Sequence, residues 1–369
     1  MKAIGIILAG GKSERLGELT AIRASSALPV GGSYRAIDFP LSNMSNSGIN
    51  KVAIITQFNS RSLHDHLSSS KWWDLGRKHG GLFIFTPFLS NESNYWFRGT
   101  ADSIYQNMSF LKRSNEPYVV IAAGEGIYKI DYNKIVDYHV EKEADITIVC
   151  KDMLDQDVHD FGVVNVDEDN RLVDFEEKPV EPQSSTISLG IYVLSRNLLI
   201  KLLETALSEG RYDFVKDIIV RYRKKLKMHA YMFDGYWSTI NCVKRYYQTN
   251  MDFLDKSVRK TFLSEWPFIE TKPKDEPPAK YNIGADVRNC IVGSGSILNG
   301  YITRSVLFRK VFTGENTNIS DSIIMEGCYI GNNCTIRNAI LDKEVILSDG
   351  KEIIGTPENP MIVKKNTLI

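Results

Sequence analysis

The sequence predicts an α/β domain on a mostly parallel sheet, followed by a parallel β-helix, and two patterns carry that expectation. Over residues 1–255, short uninterrupted apolar runs alternate with stretches of helical periodicity, as buried strands and their covering helices require. Beyond about residue 281, helical periodicity gives way to a six-residue recurrence of aliphatic and small residues, which describes a parallel β-helix. Residues 256–280 read as a linker, because four prolines fall among charges between Glu265 and Pro278. A chain of 369 residues has room for these parts at ~100–200 residues per domain.

Each element follows from its own residues. Residues 4–8 form a continuous apolar run ending in Ala9-Gly10-Gly11, a buried strand feeding a Gly-rich turn. Residues 51–56, 118–123 and 145–150 repeat that character. Residues 133–144 are expected as a helix with Ile135, Val136 and Val140 on one face. Residues 161–178 break the rhythm: two alternating runs flank the turn-rich 167–170, a β-hairpin signal. A helix is expected from about Arg196 to Leu207, and a further apolar-periodic stretch over 213–222. In the C-terminal part Ile324, Ile330 and Ile336 stand six apart, with Ser322, Cys328 and Cys334 two places earlier. Ile291 with Ile297, and Ile340 with Ile346, are expected to continue the inward row, the phase slipping between about 298 and 323.

Composition removes whole classes of function. Lys plus Arg and Asp plus Glu each number 45, so bulk attraction to nucleic acid or an anionic membrane is not expected. No apolar run approaches the ~20 residues of a membrane helix, and the start of the chain lacks the pattern of a signal peptide, which makes a cytoplasmic location the expectation. The five cysteines include no CxxC pair, so buried thiols are expected, not disulfides or zinc. Trp72-Trp73 near His64 and His66 reads as a packed helix face, and the cation-rich 221–227 as a solvated helix end.

The first strand leads into Gly10-Gly11-Lys12-Ser13-Glu14-Arg15, which offers backbone N–H groups and a guanidinium to a phosphate. The loop is neither a Walker A sequence nor GxGxxG. Further along come Leu19-Thr20, Arg23-Ala24, the stretch from Tyr34 through Asp38-Phe39-Pro40-Leu41-Ser42-Asn43, Asn46-Ser47-Gly48, Gly99-Thr100-Ala101-Asp102, Tyr105-Gln106-Asn107 and Glu177-Lys178-Pro179. In that order and spacing they resemble the ADP-glucose pyrophosphorylase (glucose-1-phosphate adenylyltransferase) family over nearly the whole chain. The resemblance implies a Rossmann-like nucleotidyltransferase domain of glycosyltransferase-A type and a left-handed β-helix. It also implies a reaction of ATP with glucose 1-phosphate, with Mg²⁺ clamping the phosphates.

By the same resemblance, Gly10, Gly11 and Arg15 fall at nucleotide-binding positions. Gly162, Glu177, Lys178 and Ser188 fall at glucose 1-phosphate positions, together with Phe97, which stands where the family has Tyr. The family's two metal-binding aspartates fall at Glu125 and Thr239. Glu displaces the carboxylate by about one methylene, whereas Mg²⁺ demands near-ideal octahedral geometry, and a threonine hydroxyl supplies no negative charge. Ser25 stands where the family has a phosphate-binding Lys, and Ser13 where its loop favours Gly. The resemblance therefore points to the non-catalytic, GlgD-type subunit. The expectation is a catalytically impaired regulatory chain with no metal or cofactor of its own. It would assemble, as a hetero-oligomer expected to be a tetramer, with a catalytic subunit that carries Mg²⁺. The alternatives are an active adenylyltransferase or related sugar-phosphate nucleotidyltransferase, and a sugar-phosphate sensor acting alone.

Overall fold

Apolar runs become the centre of the main sheet. The computed structural model describes residues 2–76, 80–88, 96–154 and 157–369. Strands β1 (Ala3–Ala9), β2 (Lys51–Thr56), β3 (Gly81–Phe85) and β4 (Tyr118–Ala123) pair in parallel in the order β4-β1-β2-β3. The side chains of β1, β2 and β4 are mostly buried on both faces, in β1 Ile4 and Ile6 on one and Ile7 on the other, which is why these three stretches carry no polar alternation. A short β5 (Gly126–Tyr128) follows β4 directly, and helix α1 (Tyr132–Glu141) leads to β6 (Ile146–Asp152). Asp131 caps α1 by accepting a hydrogen bond from the Asn133 N–H at 2.9 Å.

The sheet is mixed beyond β4. Strands β7 (Gly162–Val166) and β8 (Leu172–Glu177) form the antiparallel hairpin, and the long β9 (Thr186–Ser195) returns antiparallel to β4, β6 and β7. Helix α2 (Arg196–Ser208), capped by Ser195, and β10 (Met228–Met232), parallel to β6, complete nine strands. β3, β9 and β10 fall outside the runs read from sequence, because half-exposed positions, Ser188 with Gly190, and His229 interrupt their apolar character.

The C-terminal part is a left-handed β-helix whose three faces are parallel sheets of five strands each, starting at Lys280. The inward row is Leu298, Ile302, Leu307, Ile319, Ile324, Ile330, Ile336, Leu341 and Leu347, all at most 1% exposed. Ile324, Ile330 and Ile336 point inward as expected, whereas Ile297 and Ile346 stand 39% and 46% exposed with Leu298 and Leu347 buried in their stead. The cause is coil length. Phe312 lies opposite Tyr329 and Thr335 opposite Glu352, so these middle coils take seventeen residues with one side in three five residues long, while Asp286 opposite Tyr301 and Ile297 opposite Phe312 make earlier coils of fifteen. A strict six-residue count loses its phase there, as between Ile336 and Leu341. Ile346→Ser is accordingly expected to change stability by less than about 0.5 kcal/mol. Leu347→Ala should cost about 2–5 kcal/mol, read by urea unfolding.

Between the domains, the stretch expected as a linker begins with a helix, Lys256–Arg259 continued by Lys260–Ser264. Its Phe262 is fully buried against Phe39 and Phe253, in a cluster that includes Phe308, Ile323 and Ile340 of the β-helix. One face of the β-helix is thereby docked on the α/β domain. Arg23 reinforces the junction with a buried two-pronged ion pair to Asp342, at 2.7 and 3.0 Å. The Trp72-Trp73 region is packed as expected: the Trp73 indole N–H donates to the Glu270 carbonyl, and His66 pairs with Asp38 at 2.6 Å. No helix among the described residues is long and apolar enough to cross a membrane.

Candidate functional site

The carboxyl ends of β1, β2 and β4 open into a cleft, the usual place for ligands in open α/β sheets. It has two compartments of about 460 and 510 Å³ that share Glu125 in their wall. Arg15, Gly162, Glu177, Lys178, Ser188 and Thr239 line the first compartment, and Gly10, Gly11 and Phe97 line the second. Phe97 thus lies apart from the other residues assigned by resemblance to the sugar phosphate. It is buried, and its main-chain N–H donates to the Gln57 side chain at 2.6 Å.

The β7–β9 side of the first compartment is built by two glycines. A Cβ on Gly162 would meet the Phe175 ring at 2.4 Å and the Glu177 carboxylate at 3.1 Å, so only glycine lets β8 place Glu177 beside β7. Gly190, at φ +69, bends β9 so that the pairing with β6 shifts register between Ser188 and Tyr192. Ser188 then donates to the Tyr192 hydroxyl at 3.3 Å. Burial raises the Glu177 carboxyl above the usual range, with Lys178, 3.9 Å away, opposing. Trp237 and Asn241 line the same compartment, and the Trp237 indole N–H and the Asn241 side-chain oxygen are buried with no hydrogen-bond partner among the described residues. Spacing alone could not flag Asn241, because its place at the compartment depends on the turn after Trp237–Thr239.

The second half of the site concerns charge. Glu125 follows β4, and its carboxylate accepts a hydrogen bond from the Ser25 hydroxyl at 2.7 Å. Burial raises its pKa, opposed by the hydroxyls of Ser25 and Ser13 and by the cations Lys178 and Arg15. Thr239, on β11 (Trp237–Thr239) antiparallel to β5, turns its hydroxyl toward the Glu125 main-chain carbonyl at 3.5 Å. These residues do not fit a resident divalent cation. The Glu125 carboxylate is tied to the Ser25 hydroxyl, and Thr239, beside it, supplies no negative charge.

A nucleotidyl transferase family model matches residues 4–256, and a GlmU-like C-terminal hexapeptide model matches residues 277–360. The glucose-1-phosphate adenylyltransferase of Bacillus cytotoxicus is 39% identical over 360 residues, covering 96% of this chain and 95% of the relative. Those of Bacillus thuringiensis and Bacillus anthracis are 38% identical over 353 residues, covering 95% of this chain and 94% of each relative. The chain belongs to the glucose-1-phosphate adenylyltransferase family.

Within this adenylyltransferase fold, the structure brings Glu177, Lys178 and Ser188 together on one wall and sets the glycine-rich loop on the other. Asp160, which belongs to no recognisable motif, projects from the segment before β7 and pairs with Arg15 at 2.5 Å.

Proposed function

We propose that this chain is a catalytically impaired, regulatory member of the adenylyltransferase family that assembles with a catalytic subunit making ADP-glucose for glycogen synthesis. The observation that supports it most is the pair at the cleft floor, where Glu125 is engaged by Ser25 and Thr239 is neutral. Transfer of a nucleotidyl group depends on positioning and on neutralising charge that develops on the phosphates. A fold that keeps its substrate walls without that neutralisation retains binding and loses turnover. Control over the partner would pass through shared interfaces, as a coupling of the two chains' binding equilibria.

The sugar-phosphate wall has the groups a glucose 1-phosphate needs. Lys178 offers a cation to the phosphate, and Glu177 and Ser188 offer oxygens to sugar hydroxyls. Calorimetry without Mg²⁺ is expected to show one glucose 1-phosphate per chain. Lys178→Ala should weaken it about 10- to 100-fold, the value of one charge-assisted hydrogen bond. Sugar-nucleotide synthesis by the isolated chain at a rate comparable to its partner's would overturn the proposal.

A further inference from the structure

Both cations of the glycine-rich loop are already engaged by carboxylates of this chain. Lys12 is paired with Glu14 at 2.7 Å, and Arg15 with Asp160 at 2.5 Å. The second pair is the unusual one. Asp160 lies 145 residues away in sequence, on the wall that carries Gly162, and its partner lies on the wall that would receive a nucleotide's phosphates. The ion pair therefore joins the loop after β1 to the segment before β7 at the first compartment.

We propose that Asp160 determines the class of anion this cleft accepts. Its carboxylate occupies the face of Arg15 that a terminal phosphate would take, so polyphosphates are disfavoured and a monophosphate held by Lys178 is admitted. The physical basis is twofold. A polyphosphate must displace Asp160 from the guanidinium, and it must then sit with several negative charges close to the displaced carboxylate and to Glu14. A monophosphate at Lys178 leaves the pair intact. The Arg15 and Asp160 side chains are 49% and 36% exposed, so the effect is moderate and falls with salt. The inference deepens the reading of the chain as a sugar-phosphate-binding, impaired adenylyltransferase.

The test is a mutant cycle on the full chain at low salt, with inorganic tripolyphosphate and glucose 1-phosphate as probes and no metal present. Asp160→Asn is expected to bind tripolyphosphate about tenfold more tightly while glucose 1-phosphate changes less than about twofold. The gain should vanish when Arg15→Gln is added, and Asp160→Glu should behave as the parent. Arg15→Gln alone should not raise tripolyphosphate binding above the parent's, since it leaves the Asp160 charge in place. An Asp160→Asn protein that binds tripolyphosphate no better, a gain that survives Arg15→Gln, or a gain on Arg15→Gln alone would overturn the proposal. Synthesis of ADP-glucose by the parent would instead sink the functional reading and leave the cycle standing, so the two failures are distinguishable.

Discussion

Supplied with saturating ATP, glucose 1-phosphate and Mg²⁺, the isolated chain is expected to turn over at least about 10³-fold more slowly than a catalytic subunit of its family, because metal charge stabilisation supplies several kcal/mol. Coupled release of pyrophosphate measures it directly. The cause lies at two positions. Glu125 presents a carboxylate that burial holds above its ordinary pKa and that the Ser25 hydroxyl already engages. Thr239 turns its hydroxyl onto main chain. Glu125→Asp combined with Thr239→Asp is therefore expected to raise turnover, and adding Ser25→Lys to raise it further. No increase in either combination would place the defect elsewhere. On the proposed function, mixing the parent with a catalytic subunit of the family should change that subunit's turnover or substrate affinity.

The second large effect concerns the junction between domains. Arg23→Ala is expected to destabilise the chain by about 3–5 kcal/mol, because it leaves Asp342 buried without its counter-charge. Arg23→Met with Asp342→Leu, which removes both charges and keeps the volume, should recover most of that loss. Chemical denaturation of the three proteins reads the difference. A single-variant cost under about 1 kcal/mol would mean the pair behaves as a solvent-exposed one. Since the β-helix docks through Phe308, Ile323 and Ile340 on the cluster around Phe39, Phe253 and Phe262, loosening this junction should also loosen the wall that carries Ser25.

How far the sequence reveals this structure depends on the range of the interaction. β1, β2 and β4 are legible because a strand covered by helices on both faces needs apolar side chains at every position. The 162–177 hairpin is legible because its turn residues sit between two alternating runs. The β-helix is legible as a class but not in phase: the five-residue side between Ile336 and Leu341 moves every later inward position by one, which puts Leu347 inside and Ile346 outside. In the site, Glu177, Lys178 and Ser188 belong to local patterns and fall on one wall. Phe97 belongs to a local pattern too, yet the backbone carries it to the other compartment. Asp160 and Asp342 have no local signature, because each matters only for a cation far away in the chain, Arg15 in one case and Arg23 in the other. Only the fold shows that these four side chains form two pairs.

The central claim is that no divalent cation is gripped between Glu125 and the turn at Thr239. Anomalous scattering at the manganese edge tests it most directly, from crystals of the chain soaked with Mn²⁺, glucose 1-phosphate and a non-hydrolysable ATP analogue. The account predicts sugar phosphate beside Lys178 and no manganese peak at the Glu125 carboxylate. A fully occupied peak coordinated by Glu125, with oxygens at about 2.0–2.2 Å, would contradict it and make the chain a catalyst.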